Sequence, residues 1–201
     1  PHREYLMSRQ IALEKTQEVD EIRTLLQQYR ALGVASLEKV RASQLQELKR
    51  KLEKNAHLHV IKNTLIRRAI TQCKDKPELE KLDNYLSGSN IFLFTNLNPF
   101  KLMLLLKKSR VKATARAGDT AAEDVTVPAG NTGLPPGPVI SLLGAVGLPS
   151  RIEAGSVWIS HDTVVAKKGD AIDTRLAGVL SKLGIKAVEI GLSLRAVYDE
   201  G

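Results

Sequence analysis

The chain has 201 residues, 43% of them hydrophobic, a net charge of +8 and a single cysteine, Cys73. That length supports one or two domains with real cores. One cysteine excludes an intramolecular disulfide and a cysteine-built metal cluster and points to a reducing compartment. No apolar run reaches the roughly 18 residues that span a bilayer and no signal-peptide layout opens the chain, so a soluble, intracellular protein is expected.

In chain order, residues 9–30 read as an amphipathic helix with Val19, Ile22, Leu26 and Tyr29 on one side, ended by Gly33. Val34–Val40 is a strand candidate. Ser43 then takes an N-cap position with Gln46 in the capping-box place, and Leu45, Leu48 and Leu52 mark the inner face of a helix to about Asn55. Leu58–Ile61 form a short buried strand running directly into a second helix, which Asn63 or Thr64 can cap. Leu65, Ile66, Ala69, Ile70 and Cys73 make its apolar stripe. Asn63 with Arg67, and Thr64 with Arg68, stack four apart on the opposite face. Pro77 opens a short helix through Tyr85, Asn90–Thr95 is an apolar strand, and residues 98–109 form another helix. This alternation predicts an α/β fold, an α/β sandwich.

After Arg110 the texture changes to small and acidic residues. Val125–Val127 is a short strand candidate. The run Pro128–Pro138 is dense in turn residues, Val139–Val146 is helical, and Ile152–Ile159 and Thr163–Lys167 read as strands. Asp173 caps a helix to Leu183, and residues 187–198 read as a strand broken near Gly191. A smaller α+β domain over residues 110–183, inserted into a first domain made of 1–109 and 184–201, is the expected organisation.

Charge is concentrated. Residues 39–76 hold eleven Lys/Arg and three acids, the whole net charge of the protein. This block surrounds a strand–helix junction where free backbone N–H groups and the Arg67 and Arg68 guanidinium groups suit phosphate, so a polyanion is the expected partner. Other chemistries find less support. The glycine-rich loop Gly130–Gly137 lacks the Gly-Lys-Ser/Thr ending of a phosphate loop, and its prolines remove donors; a shaped, rigid recognition loop fits it better. His57 and His59 share one side of an extended strand without further ligands at metal spacing. No catalytic set of side chains stands out, and no metal or cofactor is assigned. Trp158 fits a sheet position, and 4% aromatics argue against a stacking single-strand binder. Backbone and shape readout of folded RNA fits the basic face.

Val60-Ile61-Lys62-Asn63-Thr64-Leu65-Ile66-Arg67-Arg68-Ala69 resembles the signature of the stalk-base protein of the large ribosomal subunit, called L-ten in bacteria and P-zero in archaea and eukaryotes. Ala117-Gly118-Asp119, the run Val127–Pro138, Ile152–Ile159 and Lys168-Gly169-Asp170 resemble the domain inserted in archaeal-type members and absent from bacterial ones. The resemblance implies a non-enzymatic ribosomal protein of the cytoplasm. Its first domain would dock on 23S-type ribosomal RNA of the GTPase-associated centre, beside the L-eleven protein. The RNA-binding residues would be Lys62, Asn63, Thr64, Arg67 and Arg68, with Arg41, Ser43 and Gln44 on the adjacent helix start. The inserted domain would face the translational GTPases, with Asn131, Thr132, Gly133, Leu134, Pro135 and Pro136 as its factor-facing loop. A C-terminal helix and tail would carry dimers of acidic stalk proteins. Since the chain stops at Gly201, where the family continues into that helix, a C-terminally shortened member is expected. The alternatives are a ribosome assembly factor that mimics the stalk base and a phosphate-handling enzyme using the Gly130–Gly137 loop.

Overall fold

Apolar runs bounded by turn residues become one antiparallel sheet of four strands. β1 (Ala31–Ser36), β2 (His57–Val60), β3 (Asn90–Thr95) and β11 (Ser193–Asp199) lie in the order β11-β1-β3-β2 in a computed structural model, which describes residues 2–200. Every residue of β3 is buried, as expected of a central strand covered on both faces. On one face Leu32, Val34, Phe92 and Phe94 pack against α1 (His2–Gln28), α3 (Asn63–Gln72) and a 3-10 helix (Leu79–Tyr85). On the other lies α4 (Pro99–Lys108), with α2 (Ala42–Leu52) tied to the end of that segment by Lys51 Nζ donating to the Arg110 carbonyl at 3.1 Å. A mixed α/β sandwich is thus what these segments form.

Gly33 does not end the first helix. It sits inside β1, where a Cβ would meet Leu102 Cδ2 and Leu194 Cδ2 at 3.2 Å. The residue is small because α4 presses on the sheet there, a reason that local sequence does not display. β1 accordingly begins at Ala31, and Leu37–Val40, expected to continue the strand, turn instead, with Val40 N–H donating to the Leu37 carbonyl and Lys39 at φ 64°. The β1–β11 pair is fastened at its Ala31/Asp199 end by Arg30, whose Nε and Nη2 donate to the two carboxylate oxygens of Asp199 at 2.6 and 3.0 Å.

The chain divides into two compact units, one running to Arg110 and resuming at Gly191, the other Val111–Ile190. The second begins on β4 (Val111–Ala113) and ends on β10 (Val188–Ile190), which pair with each other. Between them β5 (Val125–Val127) pairs with β9 (Thr163–Ala166), and β6 (Gly130–Asn131), β8 (Ser156–Ile159) and β7 (Ser150–Glu153) form a sheet in that order. Two helices complete it, α5 (Pro138–Ala145) and α6 (Thr174–Lys182). Asp173 caps α6, its carboxylate accepting from the Leu176 N–H at 2.8 Å, as its position in the sequence implies. The single strand expected over Ile152–Ile159 is a hairpin, turned at Ala154 (φ 50°) and Gly155 (φ 77°).

Candidate nucleic-acid interface

β1 and β2 both run antiparallel to β3, so they are parallel to each other and end at the same edge of the sheet. Ser36 at the end of β1 pairs with Asn90, and Val60 at the end of β2 pairs with Ile91. The chain leaves these two strands to start α2 and α3. Both helix N-termini that the sequence nominates therefore gather at one end of the sheet, from elements far apart in the chain. Helix N-termini carry unpaired N–H groups and partial positive charge, and two at one edge make an anion-favouring rim.

The two starts are built differently from their expected caps. α2 is capped at Arg41, not Ser43: Gln44 Oε1 accepts from the Arg41 backbone N–H at 3.0 Å, which buries Gln44 and leaves Ser43 exposed on the first turn. α3 is capped at Lys62 (φ −65°, ψ 135°) without a side-chain hydrogen bond, and Asn63 and Thr64 lie inside the helix. Asn63 turns sideways. Its Nδ2 donates to the Gly88 carbonyl at 2.9 Å and to that of Leu86 at 3.4 Å, and its Oδ1 accepts from Asn90 Nδ2 at 3.2 Å.

The helix face expected to point one way is consequently split into two rows. Arg67 pairs with Asp83 and donates through Nη2 to the Leu86 carbonyl at 2.9 Å, so the Asn63/Arg67 row holds the loop 83–90. The Thr64/Arg68 row is exposed, beside an exposed Lys62. The same loop is held from β11 by Arg195, which donates to the Ser87 carbonyl and to Ser87 Oγ. Gly88, at φ 64°, supplies the left-handed turn that brings these carbonyls round. Asn90 and Arg195 were not read from the sequence as part of this region. The turn run Ser87-Gly88-Ser89-Asn90 is a local signal for the loop, but Arg195 lies 108 residues from Ser87 and leaves none.

Charge in the basic block is likewise divided. Lys76 is nearly buried; its ammonium lies 2.8 Å from Glu200 and 2.7 Å from the Tyr29 carbonyl. Lys51, Lys76 and Arg67 thus hold the fold together, while Lys62 and Arg68 face solvent.

The ring of His57 lies 5.3 Å from that of His59 and is stacked on Tyr29 at 6.4 Å. Among the described residues no group of three or more His, Cys, Asp and Glu gathers as a metal site. Partial burial, then the neighbouring His59 and Lys49, hold the His57 imidazole below its ordinary value of 6.5. The denatured chain therefore binds more protons than the native one just below pH 6.5, and stability is lost as pH falls from there through the native value. Urea midpoints at pH 7.5 and 5.5 are expected to differ less in His57→Asn than in the parent.

In the second unit the loop after β6 is pinned to β8. Thr132 Oγ1 donates to the Val157 carbonyl at 2.7 Å and accepts from the Leu134 N–H at 3.2 Å, while Asn131 Oδ1 accepts from the Gly133 N–H at 2.9 Å. Val157 N–H donates back to the Leu134 carbonyl at 2.9 Å. Asn131, Gly133, Pro135 and Pro136 stay exposed on this anchored base. The N–H groups of Thr132, Gly133 and Leu134 are already used, so no ring of donors faces a phosphate. Trp158 is a sheet residue, with its indole N–H on the Glu153 carbonyl and Arg151 over its ring.

Comparison with known proteins gives the region its context. The family described as "Ribosomal protein L10" matches residues 10–110, and a second, described as the insertion domain in the 60S ribosomal protein of the L-ten-P type, matches residues 115–185. "Large ribosomal subunit protein uL10" of Methanopyrus kandleri is 43% identical over 193 residues, 95% of this chain and 54% of its own length. Its Pyrococcus furiosus counterpart is 42% identical over 195 residues, 95% of this chain and 58% of its own. The Methanothermobacter thermautotrophicus protein is 37% identical over 190 residues, 94% and 56% respectively. The chain therefore spans little more than half the length of these relatives. Two adjoining matches, on a first unit interrupted by a second, place the chain in the ribosomal protein L10 family, structural proteins of the large ribosomal subunit and not enzymes, in the archaeal form that carries the insertion domain.

Proposed function

We propose that the first unit anchors the base of the large-subunit stalk on ribosomal RNA at the GTPase-associated centre, in the cytoplasmic ribosome. The carrying observation is the convergence of the α2 and α3 N-termini at one sheet edge inside the basic block. Lys62 and Arg68 contact phosphates directly, Arg68 through a fork that matches two oxygens. Thr64, Ser43 and Arg41 contact backbone or sugar groups around them. Asn63, Gln44 and Arg67 act at the same edge, and their internal bonds hold it in shape. The L-eleven protein is the neighbour on the RNA. In this reading the second unit faces the translational GTPases with Asn131–Pro136, and the stalk built on this base carries dimers of acidic stalk proteins.

Titration of the chain with a transcript of that RNA over a salt series tests the reading. Arg68→Ala is expected to weaken binding and to flatten the log–log salt slope by about 0.7–0.9, one lost phosphate contact. Arg67→Ala is expected to weaken binding and to lower stability as well, since it also releases Asp83 and Leu86. Unchanged affinity and slope in both variants would exclude this edge as the RNA contact.

A further inference from the structure

We propose that the outer face of α4 is a docking surface for an acidic amphipathic helix of a protein partner. α4 buries Leu102 and Leu106 against the sheet, which satisfies its inner face. Its outer face still carries Phe100, Met103 and Leu104, exposed by 75, 54 and 55%. Exposed apolar residues scattered singly need no explanation, but these three stand at i, i+3 and i+4, one contiguous stripe along the helix.

Lys101, Lys107 and Lys108 border the stripe, and none of them pairs with a carboxylate among the described residues. Lys107 and Lys108 suit the C-terminal end of a helix dipole, which accounts for their place but not for the apolar stripe beside them. The surrounding sequence is uniform in sign: from Asn84 to Gly118 there are six Lys/Arg and no Asp or Glu.

The occupant follows from these features. A stripe at helical spacing on a convex helix matches the ridges of a second helix. The bordering ammonium groups select a partner whose apolar stripe is flanked by carboxylates and repel a basic one. A second copy of this chain would set lysines against lysines across a two-fold axis. RNA fits less well, because Phe100 alone of the three offers a plane on which a base can stack, while Met103 and Leu104 extend the stripe with aliphatic surface. This surface is separate from the α2/α3 edge and does not depend on the RNA reading.

The test uses the whole chain and two synthetic peptides of about 18 residues, five helical turns. Both carry leucines at helical spacing; the remaining positions are mainly glutamate in one and mainly lysine in the other. Saturable binding of the glutamate peptide, weakened by salt, with no binding of the lysine peptide, is expected by calorimetry. Met103→Ser/Leu104→Ser should weaken it about tenfold or more without changing the melting temperature or RNA affinity. Lys107→Glu/Lys108→Glu should move the preference toward the lysine peptide. Absence of binding, equal binding of both peptides, or full affinity in the serine variant would overturn the proposal. So would self-association of the parent chain in sedimentation that the serine variant abolishes, or RNA binding that it abolishes.

Discussion

Phe92→Ala is expected to destabilise the first unit by about 3–5 kcal/mol, the range for truncating a fully buried aromatic. Phe92 lies in the central strand, wholly buried, paired across to Val34 on one side and His59 on the other. It belongs to the same cluster as Ile66 and Ala69 of α3 and Ile22 of α1. Neither neighbouring strand can close on the space, because both are fixed by their own ladders. The loss should appear in urea denaturation followed by far-ultraviolet circular dichroism. Trp158, the sole tryptophan, reports the second unit separately by fluorescence. A change below about 1 kcal/mol would mean that α3 is seated on the sheet by something other than this core. The consequence for function is direct, since α3 holds Lys62 and Arg68 at the sheet edge only while its apolar stripe is docked.

Asn63→Ala should cost roughly 1–2 kcal/mol, because it removes the three hydrogen bonds by which this side chain ties α3 to the loop 83–90. The carbonyl of Gly88 loses its donor at 2.9 Å, and the Asn90 amide, losing its bond to Asn63 at 3.2 Å, keeps only the Ser87 carbonyl at 3.1 Å. Asn90 is buried, and its own Oδ1 already has no partner among the described residues, so the site has little reserve. Hydrogen exchange of amides 83–90 should accelerate, and RNA affinity should fall with it. Thr64→Ala, on the exposed row, should leave both stability and exchange within experimental error. Undisturbed exchange in Asn63→Ala would show that Arg67 and Arg195 hold the loop unaided.

β3, the inner faces of α2 and α3, and the Asp173 cap are legible in the sequence because each is written within about a dozen consecutive residues. The basic block is legible by counting charges over residues 39–76, whereas the caps of α2 and α3 fall at Arg41 and Lys62 and not at the expected Ser43 and Asn63 or Thr64. What escapes is non-local. Gly33 looks like a helix stop because its true neighbours, Leu102 and Leu194, are 69 and 161 positions away. Arg67 looks free because Asp83 reaches it only after Pro77 and the 3-10 helix have turned the chain back. The hairpin at Ala154-Gly155 is hidden by a non-glycine residue with positive φ, which propensity alone argues against. Geometry therefore divides the nominated site residues into solvent-facing and inward-bonded sets, a division that spacing along a helix cannot make.

The pairing of β4 with β10 has a bearing on how the chain reaches its structure. Val111 lies opposite Ile190, so the 80 residues from Val111 to Ile190 start and finish about one strand spacing apart, near 5 Å. While this segment is unfolded, the first unit must bring β11 to β1 across it, and β11 carries the outermost pairing of the sheet. Once the segment has folded, its closed ends make the same gap behave as a two-residue connection. With closure entropy growing as (3/2)RT ln n, the difference is on the order of 3 kcal/mol in favour of β11 joining late. Since β11 is also the last strand of the sheet to be synthesised, translation order and closure entropy favour the same sequence of events: β1–β3 first, the inserted unit next, and the sheet's final strand docking last.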